Sequence, residues 1–281
     1  MTGGLGNQLF QYANARAVAC RTHADLLLDV RDLLHDKGNT RCAIGHFNMS
    51  ARLAEDSELP PARETWIRYM VWRVFGKNPI LVRERGLAFN ANIRSVRPGS
   101  YLHGYFQSER YFEDVADLLR DELRIITPPS RTNADLLARI SVENALAIHI
   151  RRSDYLSDGN RSVYAACSMG YYTAAITHMV ARVGPPMIYV FSDDPDWARE
   201  NLNFDYPTVI SAGNPGERAY EDLRLMAACR NNIIANSTFS WWGAWLNPNP
   251  DKIVIAPEEW FVPAHPQNPD IIPAGWLTVP N

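Results

Sequence analysis

The apolar positions change period along the chain, and the change divides it. Residues 7 to 22 carry Leu9, Phe10, Ala13, Ala17 and Cys20 at helical spacing, which predicts an amphipathic helix. Residues 24 to 30 (ADLLLDV) predict a strand, and residues 31 to 60 are polar and irregular up to Pro60-Pro61. A helix over 62–75 would turn Trp66, Met70 and Phe75 inward, as core. Residues 101–106 predict a strand, and 109–123 a helix with Phe112, Val115, Leu119 and Leu123 on one face. Thr127-Pro128-Pro129-Ser130 cannot continue a helix and reads as a linker, dividing the chain into domains 1–129 and 130–281.

Beyond that linker the pattern is regular. Strand-like runs at 145–150, 187–192, 208–211, 232–235 and 252–256 alternate with helix-like runs at 171–183, 195–202, 217–230 and 238–246. In the first of those helices Tyr172, Ala175, Ile176, Met179 and Val183 form one stripe. Such alternation with short connections predicts a doubly wound parallel sheet in an α/β fold.

Composition narrows the class. A chain of 281 residues with 46% hydrophobic and 21% charged positions is an ordinary globular protein of one large or two modest domains. A net charge of −3 without a basic stripe argues against nucleic acid, so any phosphate binding has to be local. Cys20, Cys42, Cys167 and Cys229 are scattered without a CxxC pair, the pattern of reduced thiols in a cytosolic protein. No apolar run reaches membrane-spanning length, and the first residues show neither a basic n-region nor an apolar h-region, so secretion is not expected. Met1 and Thr2 run straight into Gly3-Gly4-Leu5-Gly6-Asn7-Gln8, a glycine turn of the kind that normally follows a strand. The expectation is a late start or an absent first strand.

Four segments carry candidate chemistry. In His149-Ile150-Arg151-Arg152-Ser153-Asp154-Tyr155, two arginines close an apolar strand at the end where open α/β sheets bind ligands. A guanidinium fork suits phosphate oxygens; the structural alternative is a surface pair ending a strand. In Asn236-Ser237-Thr238-Phe239-Ser240-Trp241-Trp242 a strand feeds a hydroxyl-rich helix start, an anion site by its free N–H groups. Simple N-capping by Ser237 is the alternative there, and it is compatible with phosphate binding; Trp241, Trp242 and Trp245 read as core. Asp222 opens a helix, where it could favour the dipole or accept the N1–H and N2–H₂ edge of guanine. Phe191-Ser192-Asp193-Asp194-Pro195-Asp196-Trp197 could cap a helix with one carboxylate, or hold magnesium against a diphosphate.

Taken together, GGLGNQLFQYA (residues 3–13), HIRRSDY (149–155), FSDDPDW (191–197) and NSTFSWWGAW (236–245) resemble the bacterial α-1,2-fucosyltransferases of glycosyltransferase family 11. HGYFQSERYF (103–112) is similar to that family's middle segment, and the order of the segments is the family's order. The resemblance implies a GT-B-like enzyme of two Rossmann-like domains that moves L-fucose from GDP-fucose with inversion and without a metal. By position, Arg151 would bind the β-phosphate and Arg152 would serve the motif or the acceptor side of the donor site. His149 and Asp222 would contact guanine, and Ser237, Thr238 and Phe239 would hold the pyrophosphate and pack beside the base. Asn7 would lie near the reacting carbon. Asp193 and Asp194 would be structural or sugar-nucleotide contacts, and Asp154 is either the base or a carboxylate orienting the arginines. Tyr105 and Gln107 fall on the acceptor side. The family suggests a β-galactoside-terminated oligosaccharide or lipid-linked glycan as acceptor and a cytoplasmic enzyme, at the inner face of the membrane if the acceptor is lipid-linked. It also normally carries an apolar strand before GGLGNQ.

The rival readings are a fucosyltransferase of another linkage and a GDP-sugar-binding protein without turnover. A nucleic-acid protein is disfavoured by charge. A glycoside hydrolase on Glu258 and Glu259 is disfavoured because neighbours on a strand point to opposite faces.

Overall fold

The computed structural model describes residues 1–34, 42–61, 67, 70, 71, 81–152, 163–214 and 216–281. Its helices are α1 (Leu5–Thr22), α2 (Arg31–Leu34), α3 (Ala116–Glu122), α4 (Arg131–Ile140), α5 (Met169–Val183), α6 (Pro195–Asn201), α7 (Ala219–Ala228) and α8 (Thr238–Trp245). Its strands are β1 (Leu27–Leu28), β2 (Arg52–Leu53), β3 (Leu81–Arg83), β4 (Tyr101–His103), β5 (Ala145–Ile150), β6 (Met187–Ser192), β7 (Thr208–Ile210), β8 (Asn231–Ile233), β9 (Val254–Pro257) and β10 (Leu277–Val279). Asp154, Ser153, Tyr155, Trp66 and Phe75 lie outside the described residues.

The α/β class and the doubly wound sheet are as the periodicity predicts. Six strands run in the order β10-β9-β8-β5-β6-β7, every pair parallel. All six residues of β5 are buried, as an apolar run covered by helices on both faces must be. Period-two alternation sends its side chains to two separate cores. Leu146, Ile148 and Ile150 meet the Tyr171, Tyr172, Ile176 and Met179 stripe of α5. Ala145 and Ala147 face the opposite core, which holds Leu223 and Met226 of α7 and Trp241 and Trp242 of α8. His149 and Arg151 continue this second row, which brings them toward α8.

The N-terminal half is built differently. Among the described residues its strands form two parallel pairs, β1 with β2 and β3 with β4. The predicted strand at 24–30 contracts to Leu27–Leu28, and no strand precedes α1 within the chain. The predicted helix over 109–123 is two 3₁₀ turns followed by α3. Ser108 accepts the Arg110 N–H and the chain tightens around Tyr111 and Phe112, both fully buried.

Most of the order in this half comes from α1. Phe10 lies 4.5 Å from the Trp241 ring and 5.0 Å from Trp242, and Phe112 stacks on Trp242 at 5.6 Å. On another face, Tyr12 Oη donates to the buried Glu122 at 2.6 Å, and Arg16 Nη2 donates to it at 2.8 Å. The apolar core therefore runs without a break from Leu5 through α8 to Trp260.

Candidate active site

A cleft of about 670 Å³ runs along the carboxyl ends of β9, β8, β5, β6 and β7. This is the edge at which open α/β sheets bind ligands. Asn7, Gln107, His149, Arg151, Asp222, Ser237, Thr238 and Phe239 all line it. Residues from five distant segments thus converge, including two from the N-terminal half.

Two helices open into the cleft at its centre. α8 begins at Ser237, whose hydroxyl makes no capping hydrogen bond. The capping expected of Ser237 is therefore not made, and the hydroxyl stays available to a ligand. α1 begins after Gly4, again with no side-chain cap and no acidic residue in the first turn. Its residues Leu5, Gly6 and Asn7 line the same cleft. Each start leaves backbone N–H groups without intrahelical partners and the positive end of a helix dipole.

The two starts are packed against each other. A Cβ on Gly6 would stand 2.4 Å from the Thr238 carbonyl carbon and 2.5 Å from the Phe239 nitrogen. No side chain fits there, so glycine is required by the close approach. Trp242 Nε1 donates to the Gly6 carbonyl at 3.0 Å and locks the contact from behind. Gly3, at φ +76°, turns the chain into α1.

Arg151 brings a cation to this cleft, and Arg199, paired with Asp196, also lines it. Arg151 Nε lies 3.5 Å from Asp193 Oδ2, and Asp193 Oδ1 accepts the Arg152 N–H at 2.9 Å. Asp194 caps α6 by accepting the Trp197 N–H at 3.1 Å, with Pro195 next in the chain. Asp193 and Asp194 are thus engaged in holding protein groups, and the third carboxylate of the segment, Asp196, pairs with Arg199. Among the described residues no group of three or more His, Cys, Asp or Glu is placed to hold a metal.

Arg152 is not in the cleft lining. Just past the end of β5 at Ile150, its guanidinium lies 4.1 Å over the Trp197 ring of α6. Tyr105 also stays out of the cleft: it is 39% exposed, and its N–H donates to Glu84 at 2.7 Å. The reason is local. Phe106 takes a left-handed φ of +54° and buries its own ring, while Glu84 accepts the Phe106 N–H as well. The next residue, Gln107, then reaches Asn7: its Nε2 donates to Asn7 Oδ1 at 2.9 Å. Asn268 fixes the Gln107 carbonyl at 2.9 Å.

At the β5 end of the row His149 is buried, 5.7 Å from the Phe239 ring. Burial, then the charge of Arg151, push its pKa down to about 3, so it is neutral at ordinary pH. Its Nδ1 is buried without a hydrogen-bond partner. Near β7, Asp222 sits in the first turn of α7 and accepts from Asn214 twice, at 2.8 and 3.1 Å. Burial raises its pKa, and the Asn214 and Ser211 hydrogen bonds counter that rise.

Three parts of the cleft were not among the expected site residues: the start of α1 as a second dipole, Asn214, and an aromatic wall of Tyr164, Trp260 and Phe261. The first was legible in the glycines alone, since Gly6 in a helical stripe signals close approach. Asn214 follows Gly213, a turn signal that does not reveal what the turn presents.

The model of glycosyl transferase family 11 matches residues 85–279. Over 93% of its length the chain is 34% identical to the O-antigen biosynthesis glycosyltransferase WbnK of Escherichia coli, covering 93% of that protein. It is 31% identical over 99% of its length to an alpha-1,2-colitosyltransferase of Escherichia coli, covering 97% of it. A galactoside 2-alpha-L-fucosyltransferase of Caenorhabditis elegans is 30% identical over 53% of the chain and 43% of that protein.

Proposed function

Because the chain belongs to glycosyl transferase family 11, we propose that it transfers L-fucose from GDP-fucose to the 2-hydroxyl of a galactoside-terminated glycan in surface-polysaccharide synthesis. The observation that carries this reading is the meeting of Arg151 with two uncapped helix starts in one cleft. The relatives named for α-1,2 transfer and for O-antigen biosynthesis support the linkage and the setting. The colitosyltransferase relative makes a colitosyl donor the second to test.

The chemistry follows from charge. Breaking the sugar–phosphate bond builds positive charge on the ring and negative charge on the departing diphosphate. Arg151 would take the phosphate nearest the bond, and the starts of α1 and α8 with the Ser237 and Thr238 hydroxyls would surround the rest. Preorganised donors of this kind are worth roughly 3–4 kcal/mol each at developing charge. They would neutralise the leaving group without a metal, with Asp193 held on Arg151 and the Arg152 N–H and Asp194 on the start of α6. Asp222 would read guanine, with Phe239 beside the base and the neutral His149 offering Nδ1. The Asn7–Gln107 amide pair, carried from the N-terminal half, would face the reacting sugar and the acceptor. The acceptor's proton has two destinations in this scheme, the Asp154 carboxylate and the departing phosphate.

Titration calorimetry of GDP and UDP in the presence of EDTA, on wild type and Arg151→Ala, tests the reading. GDP should bind selectively, and the variant should lose affinity along with about a hundredfold or more in turnover with GDP-fucose. Arg151→Lys should also be poor, since a point charge cannot replace the fork. Near wild-type turnover in Arg151→Ala would reject the assignment.

A further inference from the structure

The loop leaving β7 runs Ser211-Ala212-Gly213-Asn214 along the rim of the cleft. Gly213 adopts φ +80°, and its N–H donates to Ser211 Oγ at 3.3 Å. This turn aims Asn214 at Asp222 twice. The Asn214 N–H donates to Asp222 Oδ2 at 3.1 Å, and Nδ2 donates to Oδ1 at 2.8 Å. Ser211 Oγ adds a longer contact to Oδ1, at 3.4 Å.

The far side of Asn214 is held too. Its Oδ1 accepts from Asn133 Nδ2 at 3.0 Å, and Asn133 is itself buried in the first turn of α4, where Ser130 accepts its N–H. The amide therefore has one workable orientation. Rotated by half a turn, it would set its oxygen against the Asp222 carboxylate and its NH₂ against the NH₂ of Asn133.

We propose that Asn214 is a specificity-determining positioning residue. It holds the Asp222 carboxylate so that the remaining lone pairs accept a ring N–H and an exocyclic amine together. This inference rests on the reading of the cleft as a GDP-sugar site. An ionised carboxylate has about four lone-pair positions. Asn214 takes one on each oxygen, which fixes the carboxylate plane and leaves one position on Oδ2 for the cleft. The second is the Oδ1 position that the 3.4 Å Ser211 contact fills, long enough to yield to a shorter bond. Guanine presents two adjacent donors to that pair. Hypoxanthine keeps the ring N–H but lacks the amine, and adenine sets an acceptor nitrogen beside its amine. A carboxylate free to rotate would meet one donor as readily as two, and would stop distinguishing guanine from hypoxanthine.

The experiment compares GDP and inosine diphosphate by calorimetry on wild type, Asn214→Ala, Asn214→Ser and Ser211→Ala. Wild type should prefer GDP by about tenfold or more, the scale of a hydrogen bond to a charged group. Asn214→Ala should bring the two within about threefold, chiefly by weakening GDP. Asn214→Ser, which keeps the backbone N–H and a short donor, should fall between, and Ser211→Ala should retain the wild-type ratio. A wild-type ratio in both Asn214 variants would overturn the proposal, and so would equal weakening of both nucleotides, the mark of a merely structural role. Failure of wild type to prefer GDP over UDP would instead overturn the GDP reading itself.

Discussion

The two halves hold their site residues by different means. In the C-terminal half, β5, β6 and β8 fix the row of side chains at their ends, and each of these strands is paired on both edges. His149 in β5 and Ser192 in β6 sit at strand ends whose register is set by the ladder, with Ile150 opposite Ser192 and Arg151 the next residue along. In the N-terminal half the strands are two or three residues long among the described residues, and no sheet crosses it. Of its two contributions to the cleft, Gln107 is held by Asn7 and Asn268, and Gly4 through Asn7 are placed by the packing of α1 on α8. A ladder tolerates side-chain change because backbone bonds define it. A packed contact depends on the volume of the side chains that make it.

The largest way to break this comparison is at the contact itself. In Gly6→Ala the added methyl would meet backbone atoms of Thr238 and Phe239 at 2.4–2.5 Å. Neither is a flexible side-chain end, so α1 has to shift away from α8. Overpacking of this kind typically costs about 1–3 kcal/mol and more where backbone must move. The expected outcome is a melting temperature several degrees lower with GDP affinity lost almost entirely, while Val190→Ala in the ladder half loses stability but retains GDP binding in its folded fraction. If Gly6→Ala melts and binds as wild type does, the packed-contact account fails.

A second test probes the ladder half by pH. His149 belongs to the ladder half and is the buried histidine of the cleft, its pKa pushed down to about 3. The unfolded chain takes up the proton near pH 6.5 and the folded protein resists it. Its contribution to stability is therefore full above about pH 6.5 and is lost progressively as pH falls toward the folded value. Asp222 works in the opposite sense. Its raised pKa means that acid protonates it more readily in the fold than in the unfolded chain, which does not loosen the fold but removes an acceptor from the cleft. Denaturant titrations at pH 7 and 5 should show wild type losing more stability than His149→Gln over that interval. Equal losses in the two proteins would show that His149 is not what the acid limb reports.

How far this was legible follows the same division. The apolar runs 145–150 and 187–192 coincide with β5 and β6, because strands buried on both faces write their limits into composition. The four helices α5 to α8 fall within about two residues of their predicted spans, while α4 (Arg131–Ile140) was not predicted. The 24–30 run is different: only Leu27 and Leu28 find a partner, at Arg52 and Leu53, and that pairing is not a local property. β10 was missed because Leu277 and Thr278 are exposed and carry no core signal. Within the site, Arg151 was legible from its strand, while Arg152 lies over Trp197 of α6 instead. Tyr105 misled because the left-handed turn at Phe106 is invisible in the residue type. Asn214 matters through two partners, 8 and 81 positions away, and no spacing rule joins those three.

The smallest effect is the most discriminating. An N-cap serine replaced by alanine usually costs about 0.5–2 kcal/mol, because the hydroxyl had satisfied a backbone N–H. Ser237 makes no such bond, and Ser240 Oγ turns back to the Ser237 carbonyl at 3.2 Å instead. Ser237→Ala should therefore melt within about a degree or two of wild type, a change at the scale of a surface substitution. Its hydroxyl is left for the ligand, so GDP affinity should fall by about three- to tenfold through the loss of one hydrogen bond to a charged group. Ser168→Ala is the control, because Ser168 does cap α5 and lies outside the cleft: it should lose stability while leaving GDP affinity unchanged. Should Ser237→Ala behave as Ser168→Ala does, the start of α8 is an ordinary capped helix end. The anion site would then reduce to Arg151 and the packed start of α1, and the N-terminal half would carry more of the donor's phosphate than the ladder half does.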